Sequence, residues 1–181
     1  KPEHIKRTIE HTLNEGFSAT KNLIKSKLSE SYPLGYSLAG VIEEVGDKVV
    51  GYEKGQVVAC AGGQFAFHAE WVNVPINLVV PVPNDVTTKA ASTVALGAIA
   101  LQGVRRASVS LGETFVVVGL GFLGNLTVQL LKSSGCKVIA IDIDRSRIEK
   151  ARKLGADYIF HADDEDQIDY LMKITNGNGV D

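Results

Sequence analysis

The stretch that decides the fold is Thr114-Phe115-Val116-Val117-Val118-Gly119-Leu120-Gly121-Phe122-Leu123-Gly124, with Asn125 to Ser134 behind it. Its β-branched and aromatic run predicts a buried strand over 114–118, and the apolar spacing after Gly124 predicts a helix over 125–134. Between them stand glycines in G-x-G-x-x-G spacing, each with a separate physical job. Gly119 permits the tight turn off the strand, Gly121 lets a diphosphate approach the backbone, and Gly124 lets the helix pack closely on the strand. The free amides at the helix start, backed by the positive end of its dipole, then favour an anion along Gly119, Leu120, Gly121, Phe122, Leu123 and Gly124.

The next strand, Lys137 to Ile141, runs into Asp142. That is ~20 residues beyond the glycines, where a carboxylate accepts hydrogen bonds from an adenosine ribose. Strand, loop, helix and acid together predict dinucleotide binding; a domain of this shape that has lost its ligand is the alternative. The Asp142 carboxylate repels a 2'-phosphate, so NAD is favoured over NADP. Arg145 and Arg147 just beyond leave two possibilities: they pair with a 2'-phosphate, or they lie on the solvent face of the following helix. Arg147 is therefore counted among the candidate cofactor-binding residues.

Working outward, a helix is expected over 145–154, a strand over 158–160 and a helix over 166–175. Strands alternating with helices of this length predict an α/β fold with a parallel sheet. Upstream, apolar content rises from Thr87 through Ala90, Ala91, Ala95 and Ala98 to Val104, with Arg105 and Arg106 near the end of an expected helix. Before Pro81 and Pro83 the texture is β: Val41-Ile42, Val49-Val50, Val57-Val58, Trp71 to Val74 and Leu78 to Val80, broken by Gly46, Gly51, Gly55, Gly62 and Gly63. The first thirty residues predict two short helices. Pro2 opens the first, Ile5, Ile9 and Leu13 recur along it, and Gly16 closes it with a left-handed cap; Ser18 caps the second, which buries Leu23, Ile24 and Leu28.

With 181 residues, 45% hydrophobic and 22% charged, the chain has a globular composition, which excludes disorder and collagen. A net charge of -2 without long blocks of either sign gives nucleic acid no footprint. No apolar run reaches the ~18 residues a membrane span needs, and no signal peptide is visible. Cys60 and Cys136 belong to no ligand-spaced cluster and predict reduced, buried thiols in a cytoplasmic protein. The chain starts at Lys1, holds its one methionine at Met172 and stops at Gly179-Val180-Asp181, where a new strand is expected, so a piece of a longer protein is anticipated.

The order of these parts resembles the medium-chain dehydrogenase/reductases of the alcohol dehydrogenase superfamily. Leu38-Ala39-Gly40-Val41-Ile42-Glu43-Glu44-Val45-Gly46, then Val49, Gly55 and Val57, is similar to their G-x-V-x-x-V-G signature and the strand after it. Ala69-Glu70-Trp71-Val72-Asn73-Val74-Pro75 is similar to their A-E-Y-V-x-V-P strand. The resemblance implies a GroES-like β-barrel substrate domain, lacking its start and preceded by the helical segment, over 1–95. The first half of a doubly wound Rossmann sheet then occupies 96–181. A narrower similarity links Pro33 to Gly40, Gly97 to Ala107 and Leu126 to Lys132 to the dehydrogenase half of bacterial bi-domain oxidoreductases. It implies a second oxidoreductase domain and an association with sugar or polysaccharide metabolism. The family also implies a small-molecule substrate and homodimers formed through a sheet edge.

Zinc-dependent members of that superfamily carry G-H-E where this chain has Gly35-Tyr36-Ser37, and tyrosine does not replace the zinc-binding histidine. Val94 and Ala95 stand near the expected second ligand, and Cys60 is not part of a four-cysteine lobe. No zinc is therefore expected. Tyr36 becomes the candidate catalytic residue, donating a hydrogen bond or proton to a substrate oxygen, or else it packs the cleft wall. Ser37 reads as turn chemistry, His68 as a cleft candidate or a hydrogen-bonded structural histidine, and Asp163 to Asp166 as a solvated loop. His4, His11 and His161 have no partner at ligand spacing. The expectation is an NAD(P)(H)-dependent, zinc-independent oxidoreductase acting on a carbonyl, alcohol or activated double bond. The alternative is a non-catalytic nucleotide-binding module that controls a partner domain.

Overall fold

A computed structural model describes residues 12, 16, 18–22, 25 and 33–181. The chain divides into two units, Lys1–Leu34 and Gly35–Asp181. In the first, Gly16 adopts φ +85° and its amide donates to the Thr12 carbonyl at 3.1 Å, the left-handed helix end expected of it. Ser18 is itself helical, within a helical stretch over 18–22. The expected roles of Pro2, Ile5, Ile9, Leu13, Leu23, Ile24 and Leu28, and the positions of His4 and His11, lie outside the described residues.

The second unit begins with an antiparallel sheet of β1 (Ser37–Val41), β2 (Val57–Ala61) and β3 (Val79–Pro81), in that order. Ser37 pairs with Ala61, Val41 with Val57, and Cys60 with Val79. Val58, Cys60 and Ala66 form its core, with Leu38, Ile42, Tyr52, Val74 and Val79 packed against them. Two expected strands do not form. The Val49 amide turns back to the Gly46 carbonyl at 2.9 Å, Val50 is exposed, and Gly51 follows at φ +89°, so this pair belongs to a turn. Over 71–74 no strand pairs with the chain among the described residues, and Trp71 is exposed.

The single helix expected from Thr87 onward is two, α1 (Thr88–Ala91) and α2 (Val94–Arg106). The hydroxyls of Ser92 and Thr93 donate to the carbonyls of Lys89 and Ala90, each at 2.8 Å, and such local bonds compete with helix continuation. Both helices pack on β1 and β2, and α2 also packs on α3 (Phe122–Ser133). The antiparallel and parallel sheets are thereby joined through helices rather than through a shared strand.

The parallel sheet consists of β4 (Thr114–Val118), β5 (Lys137–Asp142) and β6 (Tyr158–His161), in the order β4-β5-β6. The intervening helices are α3 and α4 (Arg145–Lys153), and α5 (Gln167–Ile174) follows β6. Leu120, Val128, Val138 and Ala140 are inaccessible to solvent at the centre of this core, joined by Val117, Leu131 and Ile148. Each fully buried Val or Leu contributes about 1.5–3 kcal/mol, so this interior fixes where β4 ends and α3 begins.

The fold is α/β, an antiparallel β unit followed by the parallel sheet. At the edge of β4 opposite β5, the Asp181 amide donates to the Thr114 carbonyl at 3.0 Å and the Thr114 amide donates to the Asp181 carboxylate at 2.9 Å. Residue 181 thus lies against the first residue of β4, on the side away from β5. Both cysteines are free and buried. No helix among the described residues is long and apolar enough to cross a membrane.

Candidate functional site

The carboxyl ends of β4, β5 and β6 bring together Gly119, Asp142 and His161. Gly119 has φ +89°, a conformation that L side chains rarely adopt, and its amide extends the ladder to the Ile141 carbonyl at 2.8 Å. Gly124 faces backbone: a Cβ there would lie 1.9 Å from the Gly119 carbonyl oxygen. Gly121 differs from both. Its φ of -66° suits any residue, and a Cβ built on it meets nothing within 4 Å among the described residues. The packing of the described residues does not require that glycine, and among them the space above it stays open.

Gly121 is also the N-cap of α3, without a side-chain cap. The other helix starts nearby are treated differently. Asp144 caps α4 by accepting the Ser146 amide at 2.8 Å, and the Ser37 hydroxyl accepts the Ala95 amide near the start of α2 at 3.2 Å. The first-turn amides of α3 therefore stand as ready anion donors beside an open cradle.

Asp142 is buried, and both its oxygens engage backbone: Oδ2 accepts the Leu120 amide at 2.5 Å and Oδ1 accepts the Asp144 amide at 2.8 Å. These two bonds, that from Leu120 first, hold its carboxyl below the usual carboxylate range against the opposing effect of burial; Arg147 adds a smaller contribution. The acid expected to meet a ribose is thus also the fastening of the glycine loop. Each oxygen keeps further lone-pair capacity. Arg147 is half exposed, with its guanidinium 4.0 Å from Asp142 and 3.6 Å from Asp144, so its charge is already balanced by two carboxylates.

Tyr36 sits at the bend entering β1 and is 44% exposed. Its neighbour Ser37 is buried and does more than turn chemistry: its hydroxyl donates to the Ser92 carbonyl at 2.7 Å while accepting the Ala95 amide, which ties β1 to α2. His68 is exposed and lies over Gly35, where a Cβ would fall 2.3 Å from the imidazole. His161 bonds through Nε2 to the Ile143 carbonyl at 2.9 Å and through Nδ1 to the Asp163 amide at 3.3 Å, an arrangement local to the end of β6.

A family model described as Zinc-binding dehydrogenase matches residues 123–181. An NAD-dependent alcohol dehydrogenase of Sulfurisphaera tokodaii is 33% identical over 177 residues, covering 82% of this chain and 51% of the relative. These matches make the chain similar to the medium-chain dehydrogenase/reductase superfamily. It spans about half the length of the curated relatives it matches. A mycobacterial protein solved in complex with NADPH is 26% identical, covers 86% of this chain and 50% of its own, and superposes with a TM-score of 0.70. A structure from Clostridium scindens, described as a zinc-binding dehydrogenase, has a TM-score of 0.77 at 24% identity. It covers 87% of this chain and 52% of its own, and the fold alone is carried by that likeness.

A superfamily that includes zinc enzymes calls for a test of the donor set. The sequence resemblance expects Tyr36 at the position of a zinc-binding histidine, and the Ser37 hydroxyl beside it is engaged with backbone on both sides. Among the described residues no three His, Cys, Asp or Glu side chains come together to hold a metal ion. The residue that sequence reasoning missed is Asn125, 7% exposed behind the glycine loop, with its side-chain amide bonded to the carbonyls of Leu120 and Gly121. The available signal was a polar residue on the helical stripe that also buries Val128 and Leu131.

Proposed function

We propose that this protein is an NAD(H)-dependent, zinc-independent oxidoreductase that transfers a hydride to or from a carbonyl, an alcohol or an activated double bond. Gly121 is the observation that carries the nucleotide part: packing leaves a side chain free to stand there, and a bound diphosphate does not. Residues Gly119 to Gly124 hold the diphosphate. Asp142 takes the ribose hydroxyls with the lone pairs that the Leu120 and Asp144 amides leave over. NAD is favoured because a 2'-phosphate would meet the ionised Asp142, while Arg147 is already matched by Asp142 and Asp144. Relatives described with NAD and with NADPH both occur, so the choice rests on these side chains.

When bound, the nicotinamide supplies or accepts the hydride. The chain's own contribution is to fix the cofactor, keep water out and place a proton donor, for which Tyr36 is the proposed group. Residues 1–95 serve as the substrate domain and 96–181 as the first half of the nucleotide domain, within a cytoplasmic protein that also carries a second oxidoreductase domain and assembles as a homodimer.

The test is turnover by the longest natural form of the protein. NADH oxidation is followed with aldehydes, ketones, quinones and enones, and NAD reduction with alcohols and sugars. Turnover of one class supports the proposal. A folded protein that binds nucleotide yet turns over none of them refutes hydride transfer and leaves a nucleotide-binding module.

A further inference from the structure

The glycine loop has no side chain of its own to set the tilt of its peptide planes, since Gly119 and Gly121 flank Leu120 and no side chain caps α3. The Leu120 peptide groups are nevertheless held at both ends. Its amide donates to Asp142 Oδ2 at 2.5 Å, and its carbonyl accepts from Asn125 Nδ2 at 2.6 Å. The same Nδ2 reaches the Gly121 carbonyl at 3.0 Å.

In a trans peptide the C=O of one residue and the N–H of the next point in opposite directions. Drawing the carbonyls of Leu120 and Gly121 inward onto Asn125 therefore turns the amides of Gly121 and Phe122 away from the buried side chain, toward the open space over Gly121. Asn125 contributes this at a local cost, because its Oδ1 is buried and has no hydrogen-bond partner among the described residues. An apolar residue would remove that orphan acceptor and continue the stripe of Val128 and Leu131, but it would supply neither bond to the loop.

We infer that Asn125 is a positioning residue of the nucleotide site: its side-chain amide aims the Gly121 and Phe122 amides at the diphosphate. The inference rests on the dinucleotide binding proposed above. It is tested on the longest natural form of the protein by calorimetric titration with NAD, comparing wild type, Asn125→Leu and Asn125→Asp.

Asn125→Leu is expected to bind NAD about tenfold or more weakly, the factor that ~1.4 kcal/mol of lost interaction represents. Asn125→Asp keeps the shape but, when ionised, turns a carboxylate on two carbonyl oxygens. Its affinity falls by a similar factor where the acid is ionised and recovers as pH is lowered, as the protonated acid regains a donor and burial favours its neutral form. Wild type shows no matching recovery. A purely structural role changes melting temperature without this pH-dependent affinity, so Asn125→Asp decides the matter even when Asn125→Leu fails to fold. Binding by folded Asn125→Asp within twofold of wild type at every pH overturns the inference. Wild type that binds neither NAD nor NADP refutes dinucleotide binding itself, and the Asn125 role with it.

Discussion

Alanine at Gly124 and alanine at Gly121 are expected to do opposite things. At Gly124 the new Cβ would sit 1.9 Å from the Gly119 carbonyl oxygen, where real Cβ contacts essentially never come under 3.0 Å. The backbone of α3 and of the loop must separate by about 1.1 Å, the difference of those two distances, and no rotamer change relieves a contact with backbone. Overpacking of this kind costs about 1–3 kcal/mol. For a chain of this size that lowers the melting temperature by roughly 2–12 °C. At Gly121 the Cβ meets nothing within 4 Å and φ is already -66°, so the stability change stays under about 1 kcal/mol. That methyl nevertheless occupies the cradle, and NADH affinity falls at least tenfold. Differential scanning fluorimetry and NADH fluorescence titration on the same preparations separate the two effects. Gly124→Ala melting within a degree of wild type, or Gly121→Ala binding NADH as wild type does, refutes the reasoning.

Three further outcomes follow from the same geometry. The Asp142 pKa lies below its unfolded value of ~3.9, so its stabilisation is complete above ~pH 5 and is lost as pH falls through ~4 toward the folded value. Melting curves from about pH 6 to pH 2 should therefore fall less steeply for Asp142→Asn, which starts lower, and parallel curves would contradict this. Lys132→Met removes an ion pair of 2.8 Å to Asp157 and a 3.1 Å bond to the Cys136 carbonyl; because about a third of each charged side chain is exposed, the loss is about 0.5–1 kcal/mol and shrinks in high salt. An unchanged melting temperature at low salt would show the pair to be neutral. Tyr36→Phe should lower kcat at least tenfold with NADH affinity unchanged, and equal kcat would remove Tyr36 from the chemistry.

The parallel sheet is legible because each strand and helix states its period locally. Thr114 to Val118 and Lys137 to Ile141 each read as one buried strand, and the structure sets them side by side with Val118 beside Ile141. The β unit is less legible. Its short runs look alike, and whether Val49-Val50 or Trp71 to Val74 joins a sheet depends on a distant partner rather than on local pattern. The break between α1 and α2 depends on two hydroxyls whose bonds to the preceding turn are invisible to composition.

At the site, the roles of Gly119 and Gly124 follow from spacing, since Gly119 is constrained by its own positive φ and Gly124 by the Gly119 carbonyl close in sequence. The double use of Asp142 and the burial of Asn125 do not, because both depend on how α3 and β5 approach the loop from different parts of the chain. The bridging role of Ser37 is hidden for the same reason: its partners, Ser92 and Ala95, are far along the sequence.

The most direct test of the account is calorimetric titration of the longest natural form of the protein with NADH and NADPH, repeated with Asp142→Ala. The account predicts NADH binding tighter than NADPH, with NADH affinity lowered at least tenfold by the substitution. Failure of the folded protein to bind either nucleotide would contradict it, as would NADPH binding more tightly with no effect of Asp142→Ala.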